Sequence, residues 1–215
     1  MAEELRGRTA LVTGGSSGIG EGIARELADR GADIVVVARR EERLKELTEA
    51  LERNYEIEAS YISMDLAPLD AGDQLYEEVG ERGHEIDVLV NNAGFGVYGA
   101  FMEAEWERQQ TMMQLNMMTP VRLTRLFGEE MIERGWGRIM QVVSIGAFQP
   151  SPTYSTYSAT KAFLLSWSES VDFELDGTGV SNTAVCPGPV RTEFFEQVDQ
   201  EQTWYQKLTM MDRDK

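Results

Sequence analysis

The sequence predicts an α/β fold: a single doubly wound, Rossmann-like domain whose parallel sheet is flanked by helices on both faces. Three observations carry this. Short β-branched runs alternate with long amphipathic stretches along the chain, the pattern of repeated β-α units. Several runs, residues 34–38 among them, are apolar throughout rather than alternating, as burial on both faces of a sheet requires. Glycines gather between the first run and the first amphipathic stretch. The 215 residues, 42% of them hydrophobic, suffice for one sizeable core. No solenoid repeat or low-complexity linker divides them, so residues 1–215 read as one domain.

Strands are expected over residues 9–13, 33–38, 58–64, 88–91, 138–144 and 181–186. Helical periodicity runs over 18–30, 41–54, 71–82, 105–134 and 154–175. Gly31 and Gly135 stand where the first and fourth helices should stop. Trp106, Met112, Met113, Met117 and Met118 decorate the long fourth helix. They are expected to pack on the sheet or a partner helix, with substrate lining as the alternative.

Asp and Glu total 37 against 20 Lys and Arg, a formal net charge of −17. Such a surface repels phosphate backbones and anionic lipid, which argues against nucleic-acid and membrane partners. The cations are Arg apart from Lys45, Lys161, Lys207 and Lys215. Two readings of that skew stand: an acidic cytosolic protein, or adaptation to high salt, which screens carboxylate self-repulsion. The first residues are short and charged, unlike a signal peptide, and the apolar runs are strand-sized, so a cytoplasmic location is expected. Cys186 is the single cysteine, expected as a small buried residue in an apolar run. His84, the single histidine, is expected solvated in a loop, and no metal site is expected.

Thr13 is followed by Gly14, Gly15, Ser16, Ser17, Gly18, Ile19 and Gly20, between a strand and a helix. Glycine there permits a tight turn and lets a pyrophosphate approach the backbone at a helix N-terminus. The spacing is G-x-x-x-G-x-G rather than G-x-G-x-x-G. After the second strand, where a carboxylate would hold a ribose 2′-hydroxyl, the chain carries Arg39 and Arg40. Arg39 offers a permanently charged fork to a 2′-phosphate, which points to NADP(H), the alternative being solvated arginines that open a helix. Tyr157 and Lys161, four apart, share one helix face. They follow Ser144, which closes an apolar strand at its C-terminal end, where open α/β sheets bind ligands. A tyrosine near pKa 10 is a poor base at neutral pH; a neighbouring ammonium, together with the positive nicotinamide ring of an oxidised cofactor, would favour the phenolate.

These segments resemble the compact short-chain dehydrogenases/reductases. The resemblance runs from Gly14–Gly20 through Asn91, Asn92, Ala93 and Gly94, then Asn116, Ser144, Tyr157 and Lys161. It ends on Pro187, Gly188, Pro189, Val190, Arg191 and Thr192, and so covers roughly residues 6–195 in the family's order and spacing. It implies Tyr157 as general acid/base, Ser144 polarising the substrate oxygen, and Lys161 holding the nicotinamide ribose. Asn116 would position a water for proton relay. Asp65 and Leu66 resemble the family's adenine contact, and Asn92, Ala93, Gly94, Pro187, Gly188, Val190 and Thr192 fall among its cofactor-binding positions. The expected function is hydride transfer between NADP(H) and a carbonyl or secondary alcohol of a mostly apolar small molecule. Homodimers or homotetramers through the long helices are implied.

The usual final helix and seventh strand are not expected here. Residues 193–215 read as a partial substrate lid, with Phe194, Phe195, Trp204 and Tyr205 either covering substrate or packing on the domain. That departure leaves a second reading, an NADP-binding sensor or interaction protein with little activity. Nucleotide-sugar epimerisation would favour a different glycine spacing and a larger substrate domain.

Overall fold

Residues 4–188 are described by the structure, a computed structural model. β1 (Thr9–Thr13) enters α1 (Gly18–Asp29), and β2 (Asp33–Ala38) enters α2 (Glu41–Asn54). Next come β3 (Ala59–Ser63), α3 (Ala71–Glu81) and β4 (Val88–Asn91). The long helical segment is α4 (Trp106–Met113), a π turn (Gln114–Met118) and α5 (Thr119–Arg134). β5 (Gly137–Val142), a 3-10 turn (Ile145–Phe148), α6 (Ser155–Glu174) and β6 (Val180–Val185) complete the set.

All strand pairings are parallel, in the order β3-β2-β1-β4-β5-β6. Side chains of a strand alternate between faces, and the two halves of the core follow that alternation. Leu11, Val35, Val37 and Leu89 pack on one face with Leu75 of α3 and Leu123, Phe127 and Met131 of α5. Ala10, Val12, Ile34, Val36 and Val90 pack on the other with Ala24 and Ala28 of α1 and Leu44, Leu47 and Leu51 of α2. Burial on both faces is why β1 and β2 read as unbroken apolar runs. Truncating a fully enclosed ring such as Phe127 costs about 3–5 kcal/mol.

Helix ends follow local chemistry. α5 stops on Gly135 in the left-handed conformation (φ +69°), and Gly31 takes φ +88° just past α1. The order in which strands are added to the sheet reverses between β1 and β4, so a crevice opens beyond their C-terminal ends, where such sheets bind ligands.

Several expectations need correction. The helix expected over 105–134 is interrupted by the π turn. β5 ends at Val142 rather than Ser144, because Ser144 starts the 3-10 turn. Met112 is buried, whereas Trp106 and Met118 are about half exposed and pack less than their apolar character suggests. His84 is not simply solvated: it is half-buried, with Nε2 at 3.2 Å from Ser60 Oγ. Cys186 is half-exposed rather than buried, since it lies just past the end of β6.

Candidate active site

The glycine loop is braced from both sides of the crevice. Gly14 N–H donates to Val37 O of β2 at 2.8 Å. Asn92, just past β4, donates from Nδ2 to Thr13 O (2.9 Å) and Gly14 O (3.2 Å). Thr13 Oγ1 accepts from the amides of Asn92 and Ala93, each at 3.0 Å, and donates to Val90 O at 3.1 Å. Asn91 faces the other way and bonds Thr124 in the core. Gly14 adopts φ +68° and Gly18 φ +59°, a region side chains rarely enter. A Cβ on Gly14 would lie 2.7 Å from Asn92 Nδ2, and one on Gly20 would collide with Asn92 Nδ2 and Gly14 O. The loop therefore closes on itself only with glycine at these places.

Ser17 precedes α1 in extended conformation and makes no side-chain cap. The first-turn amides of α1, Gly18, Ile19 and Gly20 among them, are thus uncapped at the crevice, with the electropositive end of the helix behind them. An anion such as a pyrophosphate fits this end. The serine hydroxyls are engaged by Arg40: Nε and Nη2 donate to Ser16 Oγ at 3.1 and 2.9 Å, and Nη2 to Ser17 Oγ at 2.6 Å. Arg39, which the sequence puts forward as the fork, is exposed. Arg40 stands at the N-cap position of α2, and its side chain crosses to the loop serines instead of capping that helix. Asp65 is exposed and accepts the Ala67 amide at 3.1 Å. Leu66 is buried in the core, its carbonyl taken by Thr119 Oγ1 at 2.9 Å, so its side chain is not turned to a ligand.

At the other side of the crevice Ser144, Tyr157, Lys161 and Asn116 come together. Ser144 sits at the start of the 3-10 turn, where Oγ accepts the Gly146 amide at 3.1 Å. The same hydroxyl bonds Tyr157. Burial pushes the Tyr157 phenol above its ordinary 10, and the Ser144 hydrogen bond opposes this. Lys161, one turn along α6, is 6% exposed. Its Nζ donates to Val142 O at 2.8 Å and stands 6.0 Å from the Tyr157 ring centroid. Burial lowers Lys161 from 10.5 to about 8. The expected direct effect of the ammonium on Tyr157 therefore gives way here to burial, because Lys161 is turned to the β5 carbonyl.

Asn116 lies inside the π turn, buried. It donates from Nδ2 to Phe95 O (3.0 Å) and Thr160 Oγ1 (3.1 Å) and accepts the Phe95 amide at 3.2 Å. Its side chain thus ties the loop after β4 to α6. A Cβ on Gly94 would come within 2.8 Å of Asn116 Oδ1 and 3.8 Å of Lys161 Nζ, so glycine lets this loop pass close to both. Pro187 O accepts the Ile145 amide at 3.1 Å, and Gly188 follows it. Val190, Thr192, Phe194, Phe195, Trp204 and Tyr205 lie outside the described residues.

Some residues around the pair were not singled out from sequence. Gln109, 4% exposed, accepts from Thr156 Oγ1 at 2.5 Å and reaches Phe101 O and Ala104 O at 3.4 Å. Its signal was a polar residue three before buried Met112 on one helix face. Tyr98 and Tyr154 extend an aromatic row from Tyr157, across a loop contact that no sequence pattern announces. Among the described residues there is no cluster of His, Cys, Asp and Glu suited to a metal ion, and no helix long and apolar enough to cross a membrane.

Residues 8–203 match the short chain dehydrogenase family profile. A short chain dehydrogenase of Pseudocercospora fijiensis is 35% identical over 192 residues, 88% of this chain and 62% of that protein. The chain thus spans less than two thirds of that relative's length. The uncharacterized oxidoreductase YvaG of Bacillus subtilis is 36% identical over 200 residues, 91% of this chain and 73% of its own. The solved short-chain dehydrogenase from Sphingobium yanoikuyae, in complex with NADPH, superposes with a TM-score of 0.88. It is 31% identical, over 96% of this chain and 80% of that one.

Proposed function

The chain belongs to the short-chain dehydrogenase family, and from that premise of an NAD(P)-dependent oxidoreductase we propose an NADP(H)-dependent enzyme that interconverts a carbonyl and a secondary alcohol on a mostly apolar small molecule. The carrying observation is the Ser144–Tyr157 hydrogen bond beside buried Lys161, at the crevice end where the uncapped α1 opens.

Two hydroxyls that already share a hydrogen bond can both turn toward one carbonyl oxygen. Ser144 polarises that oxygen, and Tyr157 donates its proton as the oxygen gains charge. A phenol held neutral by burial suits donation in the direction of reduction. Lys161 places a titratable ammonium beside the Tyr157 ring and would hold the nicotinamide ribose. Asn116 fixes the Gly94–Phe95 loop beside this space through both backbone groups of Phe95. The nicotinamide, when bound, supplies or accepts the hydride.

For the cofactor, Gly14, Ser16, Ser17, Gly18, Ile19 and Gly20 would take the pyrophosphate, and Asp65 with the Leu66 backbone the adenine. Arg40, with Arg39, would take a 2′-phosphate. Two guanidinium nitrogens of Arg40 on the loop serines and no carboxylate at the end of β2 support NADP(H) over NAD(H). The NADPH bound to the Sphingobium relative agrees with that preference.

The test is NADPH oxidation over a panel of ketones, ketoacyl thioesters and aldehydes, with Tyr157→Phe alongside. Turnover of at least one carbonyl is expected, and Tyr157→Phe should abolish it while NADPH titration stays unchanged. Tight NADPH binding with no consumption across the panel would overturn the reading.

A further inference from the structure

Two rim segments flank the Ser144–Tyr157 pair: residues 92–102, after β4, and residues 145–154, between β5 and α6. Neither contains an Asp, Glu, Lys or Arg, in a chain where those residues are 27% of the total. The segments are joined: Gly99 N–H donates to Thr153 O at 2.9 Å. Thr153 takes φ +68°, a strained value for a β-branched residue that this junction holds in place. On the rim lies a row of rings. Tyr98 and Tyr154 have centroids 5.3 Å apart at 54°, and Tyr154 and Tyr157 6.1 Å apart at 65°. Phe101 and Phe148 add exposed rings on the same two segments.

The charges that follow the first segment are Glu103, Glu105 and Glu107, and then Arg108, which lies 5.9 Å from the Phe95 ring centroid. Three carboxylates beside one cation repel an anionic ligand, and a protein of net charge −17 adds to that repulsion. Partial burial and the neighbouring rings keep the Tyr154 phenol neutral, its pKa pushed up to about 12.

We infer that the site takes an uncharged ketone bearing a flat ring, and that Tyr154, the middle ring of the row, is the residue that selects it. This rests on the carbonyl–alcohol reading, since the carbonyl is taken to lie on Ser144 and Tyr157. A ring attached to that carbon comes within reach of Tyr154 and completes the edge-to-face contacts the row already makes. A carboxylate or phosphate on the substrate would meet no cation on these two segments.

Three probes separate the elements of this inference: acetophenone, 2-octanone (as many carbons, no ring) and 4-acetylbenzoate (the ring with a carboxylate). Binding to the full chain is followed by saturation-transfer NMR, and turnover by NADPH oxidation. Acetophenone is expected to bind and turn over best. Tyr154→Leu should cut its preference over 2-octanone about two- to tenfold, the range of an aromatic pair, and Tyr154→Phe should preserve it. Using a ratio within each variant cancels any uniform loss from disturbed packing near Tyr157. The inference falls if acetophenone does not bind, if either comparison ketone matches it, or if Tyr154→Leu leaves the ratio unchanged. Selective ring binding with no turnover of any ketone would overturn the reductase reading alone.

Discussion

Lys161→Met is expected to make the protein more stable at neutral pH, although it removes a group proposed for chemistry. Burial takes Lys161 from 10.5 to about 8. At about 1.4 kcal/mol per tenfold, holding that ammonium inside costs about 3 kcal/mol whenever it is charged. Against this stands the charge-assisted hydrogen bond to Val142 O, worth about 1.5 kcal/mol. Methionine keeps the unbranched stem and carries no charge, so the net gain is about 1.5 kcal/mol, or roughly 3–6 °C in Tm for a domain of this size.

The pH dependence gives the sharper test. Between pH 8 and 10.5 the unfolded chain still binds a proton at Lys161 that the folded chain has released. Wild-type stability therefore rises through that window relative to the variant, whose advantage is full below pH 8 and, with the lost hydrogen bond set against it, is gone before 10.5. Urea unfolding of both proteins across pH 7 to 10.5, at fixed salt and without cofactor, measures the difference; other titrating groups cancel in it. Destabilisation by Lys161→Met at pH 7, or a gap that does not narrow with pH, would refute the burial argument.

Arg40→Ala should weaken NADPH about tenfold or more, with NADH little changed, and Arg39→Ala should do less; comparing KM for both cofactors in both variants checks this. Equal effects would return Arg39 to the role the sequence suggested. Gly14→Ala should cost about 1–3 kcal/mol and most NADPH binding, because φ +68° and the 2.7 Å approach to Asn92 Nδ2 both oppose a Cβ. Unchanged denaturation and unchanged NADPH titration would contradict it. Tm measured from dilute buffer to about 1 M KCl, where the Debye length is about 3 Å, should rise if the −17 surface is adapted to salt. A maximum in dilute buffer would end that reading.

Legibility in the sequence tracked physical cause. β1, β2, α2 and β4 fell on the residues expected, because buried strands and an amphipathic helix leave periodic, local marks. The glycine loop and the Ser144, Tyr157 and Lys161 neighbourhood were legible for a related reason, since each is a short spacing attached to a strand end. What was not legible depends on contacts between distant segments. Arg39 and Arg40 are adjacent in sequence, and only the path of α1 against β2 decides which one meets Ser16 and Ser17. The direction of the Tyr157 shift depends on how deeply the ring is enclosed, which a spacing of four cannot report. The π turn has no propensity signature; within it Asn116 reaches both Phe95 and Thr160 while the flanking helices pack elsewhere.

That π turn has a consequence for phase. Each residue of an α-helix turns it by about 100°, so a wider turn shifts everything downstream relative to everything upstream. Upstream, Gln109 is turned inward to the rim and Thr156; downstream, Leu123, Phe127 and Met131 are turned to the sheet. A regular helix of one residue fewer could face one of these sets inward but would swing the other about 100° away. The length of the segment Gln114–Met118, more than the identity of most of its side chains, thus keeps the rim of the site and the core of the domain aligned on one continuous rod.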